Sequence, residues 1–237
     1  MRSSPPSSTG FSPASFDRRP LLATLALLAL VLLWDASHLD LALARLAGSP
    51  GGFALRENRL FVLVMHELPR HASTAGVIAL FLLAVRPLGF FRKIARRDRF
   101  QLAVTVLASV AAVSLVKNVS HTSCPWELQE FGGVARYVSH WAWGTNDGGT
   151  GRCFPAGHAS AAFAWVGGWF VLRRYAPRAA AVWLGTAVAL GFVLGLGQQW
   201  RGAHYMSHTL WTGWICWTVG LAIDFATTRV PSRYRPI

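Results

Sequence analysis

The stretch GRCFPAGHAS, residues 151–160, decides how this chain is read. An arginine, a proline, a glycine and a histidine stand directly before an apolar run at 157–172. Pro155 and Gly157 break the preceding loop, and the run that follows has the composition of a membrane helix. The first turn of such a helix offers unpaired N–H groups and the positive end of a dipole, and both suit a phosphate oxygen. His158 sits at that turn, placed to protonate a leaving oxygen. A helix cap with an incidental interfacial histidine fits the same residues equally well.

Two further polar islands lie beside other hydrophobic runs: KNVSHTSCPW at 117–126 and QQWRGAHYMSH at 198–208. Cations and histidines next to membrane-length segments are costly unless a site uses them. With a helix starting near Arg201, His204 and His208 stand four apart on one face, and Arg201 lies three before His204. One imidazole can then attack phosphorus while the second holds its other ring nitrogen, and Arg201 can grip phosphate oxygens as a fork. The same histidine spacing serves a metal, but no glutamate accompanies the pair as in HExxH, which ranks a metal below a phosphate. A polar stripe that only anchors the helix is the third reading. Lys117 closes its apolar run, where a snorkelling lysine is the ordinary explanation. Its functional reading depends on the other islands sharing its face.

At 53% hydrophobic and only 14% charged, the chain is too apolar for an ordinary soluble domain. A formal net charge of +13 raises the question of nucleic acid. The basic residues, however, gather at 2–19, 92–99, 173–178 and 229–235, each cluster against the end of an apolar run. That is the positive-inside pattern of a membrane protein, and it excludes nucleic acid as the partner.

The expected architecture is all-α, a six-transmembrane-helix bundle with both termini cytoplasmic. Its spans fall at about 21–34, 73–91, 101–116, 157–172, 179–197 and 209–227. Residues 1–17, rich in Ser and Pro, read as a disordered tail and 229–237 as a second tail, leaving 18–228 as the membrane domain. The first run resembles a signal-peptide core with Ala42-Leu43-Ala44 beyond it, yet Asp35, His38 and Asp40 intervene, which favours an uncleaved helix. In this topology all three islands emerge on one outer face. Trp126, Phe131, Trp141 and Trp143 in the 118–154 loop fit a lip at the headgroup layer and plain loop packing equally. Pro69 kinks or breaks the helix around it. Arg56, Glu57, Arg59, His66 and Arg70 fit a headgroup contact and a solvated face alike.

Together the islands resemble the three signatures of the type-2 phosphatidic-acid-phosphatase superfamily, over about residues 100–226. That pattern is Lys-x6-Arg-Pro, then Pro-Ser-Gly-His, then Ser-Arg-x5-His-x3-Asp. Here Lys117 is followed by six residues and Cys124-Pro125; the second signature reads Pro155-Ala156-Gly157-His158. The third reads Gly197-Gln198, five residues, His204, three residues, His208. The resemblance implies a metal-independent, cofactor-free phosphatase acting on a lipid phosphate or diphosphate. It makes His204 the nucleophile of a phosphohistidine, His158 the acid, and His208 the stand-in for an orienting aspartate. Lys117, Arg152, Arg201, Gly157 and Gln198 would hold the phosphate. It further implies a bacterial inner membrane with the site facing the periplasm.

The departures are Cys124 for Arg, Ala156 for Ser, Gly197-Gln198 for Ser-Arg, and His208 for Asp. Arg152 and Arg201 stand near enough in sequence to replace the lost charge. An oxidising periplasm would permit a Cys124–Cys153 disulfide, with free thiols as the alternative. Missing Arg, Ser and Asp side chains favour a non-catalytic lipid-phosphate binder or transporter; the retained histidines favour an enzyme, either a phosphatase or a phosphotransferase.

Overall fold

The computed structural model describes residues 17–142 and 144–229. Both expected tails, apart from Asp17 and Arg229, and Trp143 of the aromatic loop lie outside these residues. The described chain folds into seven helices, two of them carrying internal π or 3-10 turns. They are α1 (Arg19–Ser37), α2 (Leu39–Arg45), α3 (Arg59–Val85), α4 (Arg96–Val119), α5 (Ser160–Leu172), α6 (Pro177–Trp200) and α7 (Met206–Arg229). A two-residue hairpin pairs Gly48–Ser49 with Gly52–Phe53 over the GSPGG loop.

Four helices, α1, α3, α4 and α6, are long and apolar enough to cross a membrane. The six expected spans are therefore not matched one for one. α5 is shorter than the roughly 20 residues a bilayer core requires. α7 has 24 residues but carries Ser207, His208, Thr209, Thr212 and Asp224, all buried. Both exceptions have one physical reason. They run through the interior of the bundle, where neighbouring helices rather than lipid surround them. Along α5, Phe163, Val166, Phe170, Val171 and Leu172 are all buried, as a helix apolar on every face must be. Its backbone is approached closely on two sides. A Cβ on Gly167 would lie 2.2 Å from Thr105 Cγ2 of α4, and one on Gly220 of α7 would lie 3.0 Å from Gly167 Cα. Small residues let membrane helices approach in this way.

The second span is displaced from its expected 73–91. Helix α3 begins at Arg59, where the Asn58 side chain accepts from Phe61 N–H, and it passes through Pro69 instead of breaking there. A π turn at Leu63–Glu67 precedes the proline, with Leu68 N–H reaching back to Leu63 O. The wider turn removes the clash and missing donor that proline imposes on a regular helix. The helix stops at Val85 because Pro87 pushes Arg86 out of helical geometry.

One end of the bundle is fastened by ions. Asp224 of α7, buried, accepts from Gln101 Nε2 at 2.9 Å, Arg174 Nη2 at 3.1 Å and Arg173 Nη2 at 3.2 Å. Asp98 accepts from Arg174 and from Tyr175 OH, and Asp17 lies 3.4 Å from Arg173. The polar islands lie at the other end, where α4 and α6 finish and α5 and α7 begin.

Candidate active site

The turn between α6 and α7 sets the position of His204. Gly202 takes a left-handed φ of +73°, and a Cβ there would lie 2.4 Å from the Phe53 ring, so the chain turns sharply under that ring. Helix α7 accordingly starts at Met206, not near Arg201. His204 sits in the turn and His208 in the helix, their ring centroids 5.8 Å apart, so the two do not share a helix face as expected. Asp40 of α2 anchors that first turn: its carboxylate accepts from Ser207 N–H at 2.9 Å, from Ser207 Oγ–H, and from Trp34 Nε1–H at 2.9 Å.

Helix α5 likewise starts at Ser160, so His158 lies in the turn before it. Ser160 N–H and Oγ–H both donate to Gly157 O. The N–H groups of Gly157, His158 and Ala159 donate to no acceptor among the described residues. Short contacts tie this loop to the other islands. Ala156 N–H donates to His208 O, Arg152 N–H to Ser120 O, Cys153 N–H to Thr122 O and Trp126 N–H to Gly202 O. Cys124 and Cys153 are joined as a disulfide, with Cα atoms 5.2 Å apart.

The islands thereby converge on two histidines. Nδ1 of His158 lies 3.3 Å from Nε2 of His204, and His204 Nδ1 lies 3.6 Å from Cys153 Sγ. Burial pushes the His158 imidazole down to about 3, helped by His66 and by the charges of Lys117, Arg201 and Arg70. Burial also holds His204 well below the usual histidine range, with Lys117, His158 and His208 acting in the same direction and the Cys153 backbone opposing. Both rings are therefore neutral at pH 7.

The expected site residues divide into those the fold brings together and those it does not. Lys117, at the end of α4, packs along Gly157, whose Cβ would stand 3.5 Å from Lys117 Cδ. Arg201 is buried, donates to Gln198 Oε1 at 3.1 Å and Arg56 O at 3.2 Å, and lies 5.7 Å from the Trp126 ring centre. Its Nε is buried with no partner. Gln198 is held by Met65 O at 2.8 Å, so it serves as a bracket between α3, α6 and Arg201. Arg152 is exposed in a left-handed conformation, and its side chain has no hydrogen bond or ion pair among the described residues. His208 is buried beside Phe154, Tyr205 and His140, and neither of its ring nitrogens has a hydrogen-bond partner among the described residues. It therefore makes no hydrogen bond to His204.

Of the aromatic loop, Phe131 is core packing against Phe53, whereas Trp126 lies under Arg56 and Arg201. Trp141 Nε1 and Trp211 Nε1 each donate to Asp35 Oδ2 at 2.9 Å, and His140 Nε2 lies 3.3 Å from that oxygen. Phe154 stacks on His140 and meets His208 edge-on. Nothing in the sequence announces this hub. His66 and Arg70 are different, because four-residue spacing on one helix marks a shared face. His66 packs on His158 with ring centroids 4.2 Å apart, and both residues line a cavity of about 390 Å³ with Lys117, Gly157 and His158.

Cys153, His204 and His208 place their ligand atoms within 4.8 Å of one another. Zinc-type sites take thiolate sulfur, and the Cys153 sulfur is bonded to Cys124. The donor set is thus two neutral imidazoles, a poor fit to a metal centre and a good one to acid–base and nucleophilic chemistry.

Buried histidines ringed by cations at one end of a multi-pass helical membrane bundle define a class of protein that handles anionic groups. This chain belongs to the PAP2 superfamily, whose sequence pattern matches residues 99–230. Its fold is similar to that in the crystal structure of a transmembrane PAP2-type phosphatidylglycerolphosphate phosphatase from Bacillus subtilis. The TM-score is 0.57 at 15% identity, over 92% of this chain and all of the other. No curated protein matches it in sequence.

Proposed function

We propose that this protein is an integral-membrane lipid phosphatase that works through a phosphohistidine and needs no metal. The observation that carries this reading is the 3.3 Å approach of His158 Nδ1 to His204 Nε2 beside Lys117 and Arg201. Neutral His204, with its proton on Nδ1 facing the Cys153 loop, presents the Nε2 lone pair to phosphorus. The bound phosphate anion offsets the burial and the cations that keep His158 neutral, so His158 takes up a proton as substrate binds and hands it to the departing oxygen as the P–O bond to the lipid breaks. Water then attacks the phosphohistidine, His158 takes its proton, and inorganic phosphate leaves. Lys117, the buried Arg201 and the open N–H groups at 157–159 offset the charge on the phosphoryl oxygens. We place the site on the periplasmic face of a bacterial inner membrane, with α5 and α7 completing a six-span bundle whose termini are cytoplasmic.

Phosphate release is the test: purified protein with chelator, a panel of lipid phosphates and diphosphates, and His204→Ala alongside. Release that vanishes in the variant supports the reading. The second reading is a non-catalytic lipid-phosphate binder, favoured by His208, whose ring nitrogens have no hydrogen-bond partner among the described residues, and by the exposed Arg152; absence of release or phosphotransfer with the protein folded would select it.

A further inference from the structure

Two residues outside the three islands, His66 and Arg70, line the same cavity as His158 and Lys117. Arg70, exposed, lies in the first half of α3 shortly after Glu67, and its guanidinium has no ion pair or hydrogen bond among the described residues. Unpaired cations inside membrane helices are costly and mark places where an anion is met. His66, one turn earlier, carries a buried Nδ1 with no partner among the described residues, a polar atom free to meet a ligand. It sits on the π turn ahead of Pro69, a distortion that re-aims side chains and recurs at functional sites.

Their position relative to His158 gives them a role. His204 meets His158 at Nδ1, while His66 packs against the ring itself at 4.2 Å. A phosphoryl group attacked by His204 directs its leaving oxygen toward His158. Whatever is attached to that oxygen extends toward His66 and Arg70. Beyond them the cavity is walled by Val77, Ile78, Leu107 and Val110. The order is cation and imidazole first, hydrocarbon afterwards.

We infer that His66 and Arg70 form a second anion subsite, which holds the inner phosphate of a lipid diphosphate while the terminal phosphate is transferred to His204. The inference rests on the phosphatase reading and names its substrate class. His204 Nε2 forms a bond to the terminal phosphorus, and the bond from that phosphorus to the bridging oxygen breaks. The electron pair stays on the bridging oxygen, which takes the His158 proton and departs as part of the lipid monophosphate. Water then releases the terminal phosphate. Arg70 and His66 stabilise a leaving group that is itself an anion, which a lipid alcohol is not.

The experiment compares a short prenyl diphosphate with the matching prenyl monophosphate, for wild type, Arg70→Gln, Arg70→Lys and His66→Gln. Arg70→Gln should lower the diphosphate-to-monophosphate ratio of kcat/KM at least tenfold, and Arg70→Lys should restore most of it. Inhibition by methylenediphosphonate should weaken at least tenfold more than inhibition by inorganic phosphate. Equal losses on both substrates would overturn the subsite, as would a wild-type preference for the monophosphate. Inorganic diphosphate cleaved as well as the prenyl ester would overturn the lipid assignment. If wild type releases phosphate from no substrate, the phosphatase reading fails separately. Methylenediphosphonate binding, measured by calorimetry against inorganic phosphate, then decides the subsite: equal affinities, or no effect of Arg70→Gln, would sink it.

Discussion

Nδ1 of His158 and Nε2 of His204 stand 3.3 Å apart, too close to admit a phosphorus atom between the two rings. His204 is buried behind the tight turn at Gly202, and His158 lies in the turn before α5.

That pair makes stability depend on pH. Folding keeps both rings neutral, while the unfolded chain protonates them below the ordinary value of 6.5. The unfolded state therefore binds more protons as pH falls. The stability gained by neutral burial is complete above pH 6.5 and is lost progressively toward the His158 value of about 3. In detergent, Tm should fall from pH 7 to pH 5, and His158→Gln should show a shallower fall. An identical slope in the variant would place the titration elsewhere.

His204→Ala should abolish turnover with the fold retained, measured as phosphate release alongside thermal unfolding. His208→Asp restores the carboxylate at the superfamily's position and should retain or raise kcat. Loss of activity in that variant, with folding intact, would show that this chain orients His204 through the Cys153 loop instead.

Asp40→Asn removes a charged acceptor from Ser207 and Trp34 at the start of α7, at a cost of about 1–3 kcal/mol. The change should appear in Tm and also in kcat, because Ser207 adjoins His208. A fall in Tm alone would make Asp40 a purely structural cap.

Asp224→Ala strands Arg173, Arg174 and Gln101 at the opposite end, and loss of this buried carboxylate from a partly exposed cluster costs about 1–3 kcal/mol. Tm should drop sharply while kcat per folded molecule stays within about threefold of wild type. A large loss of kcat in the folded fraction would mean the two ends are coupled.

Much of this was legible in the sequence for a simple reason: apolar runs and the basic clusters that end them are local signals. The islands at 117–126, 151–160 and 198–208 do meet at one end of the bundle. Boundaries were less legible, because a π turn rescues Pro69 and a left-handed Gly202 moves the start of α7, and neither leaves a periodic mark. The Asp35–His140 contact joins α1 to the long loop, a pairing with no local pattern at all. His66 and Arg70 were visible only as a four-residue spacing, which a solvated face shares.

Cys124 stands where the superfamily pattern has an arginine, and it is bonded to Cys153, whose sulfur lies against the turn that holds His204. This exchange makes assembly of the centre depend on chemistry outside the chain. A newly inserted copy with reduced thiols carries every catalytic residue, yet nothing covalent clamps the His158 loop to the first. The bond therefore ties the first polar island to the second covalently, at the turn where the third presents His204.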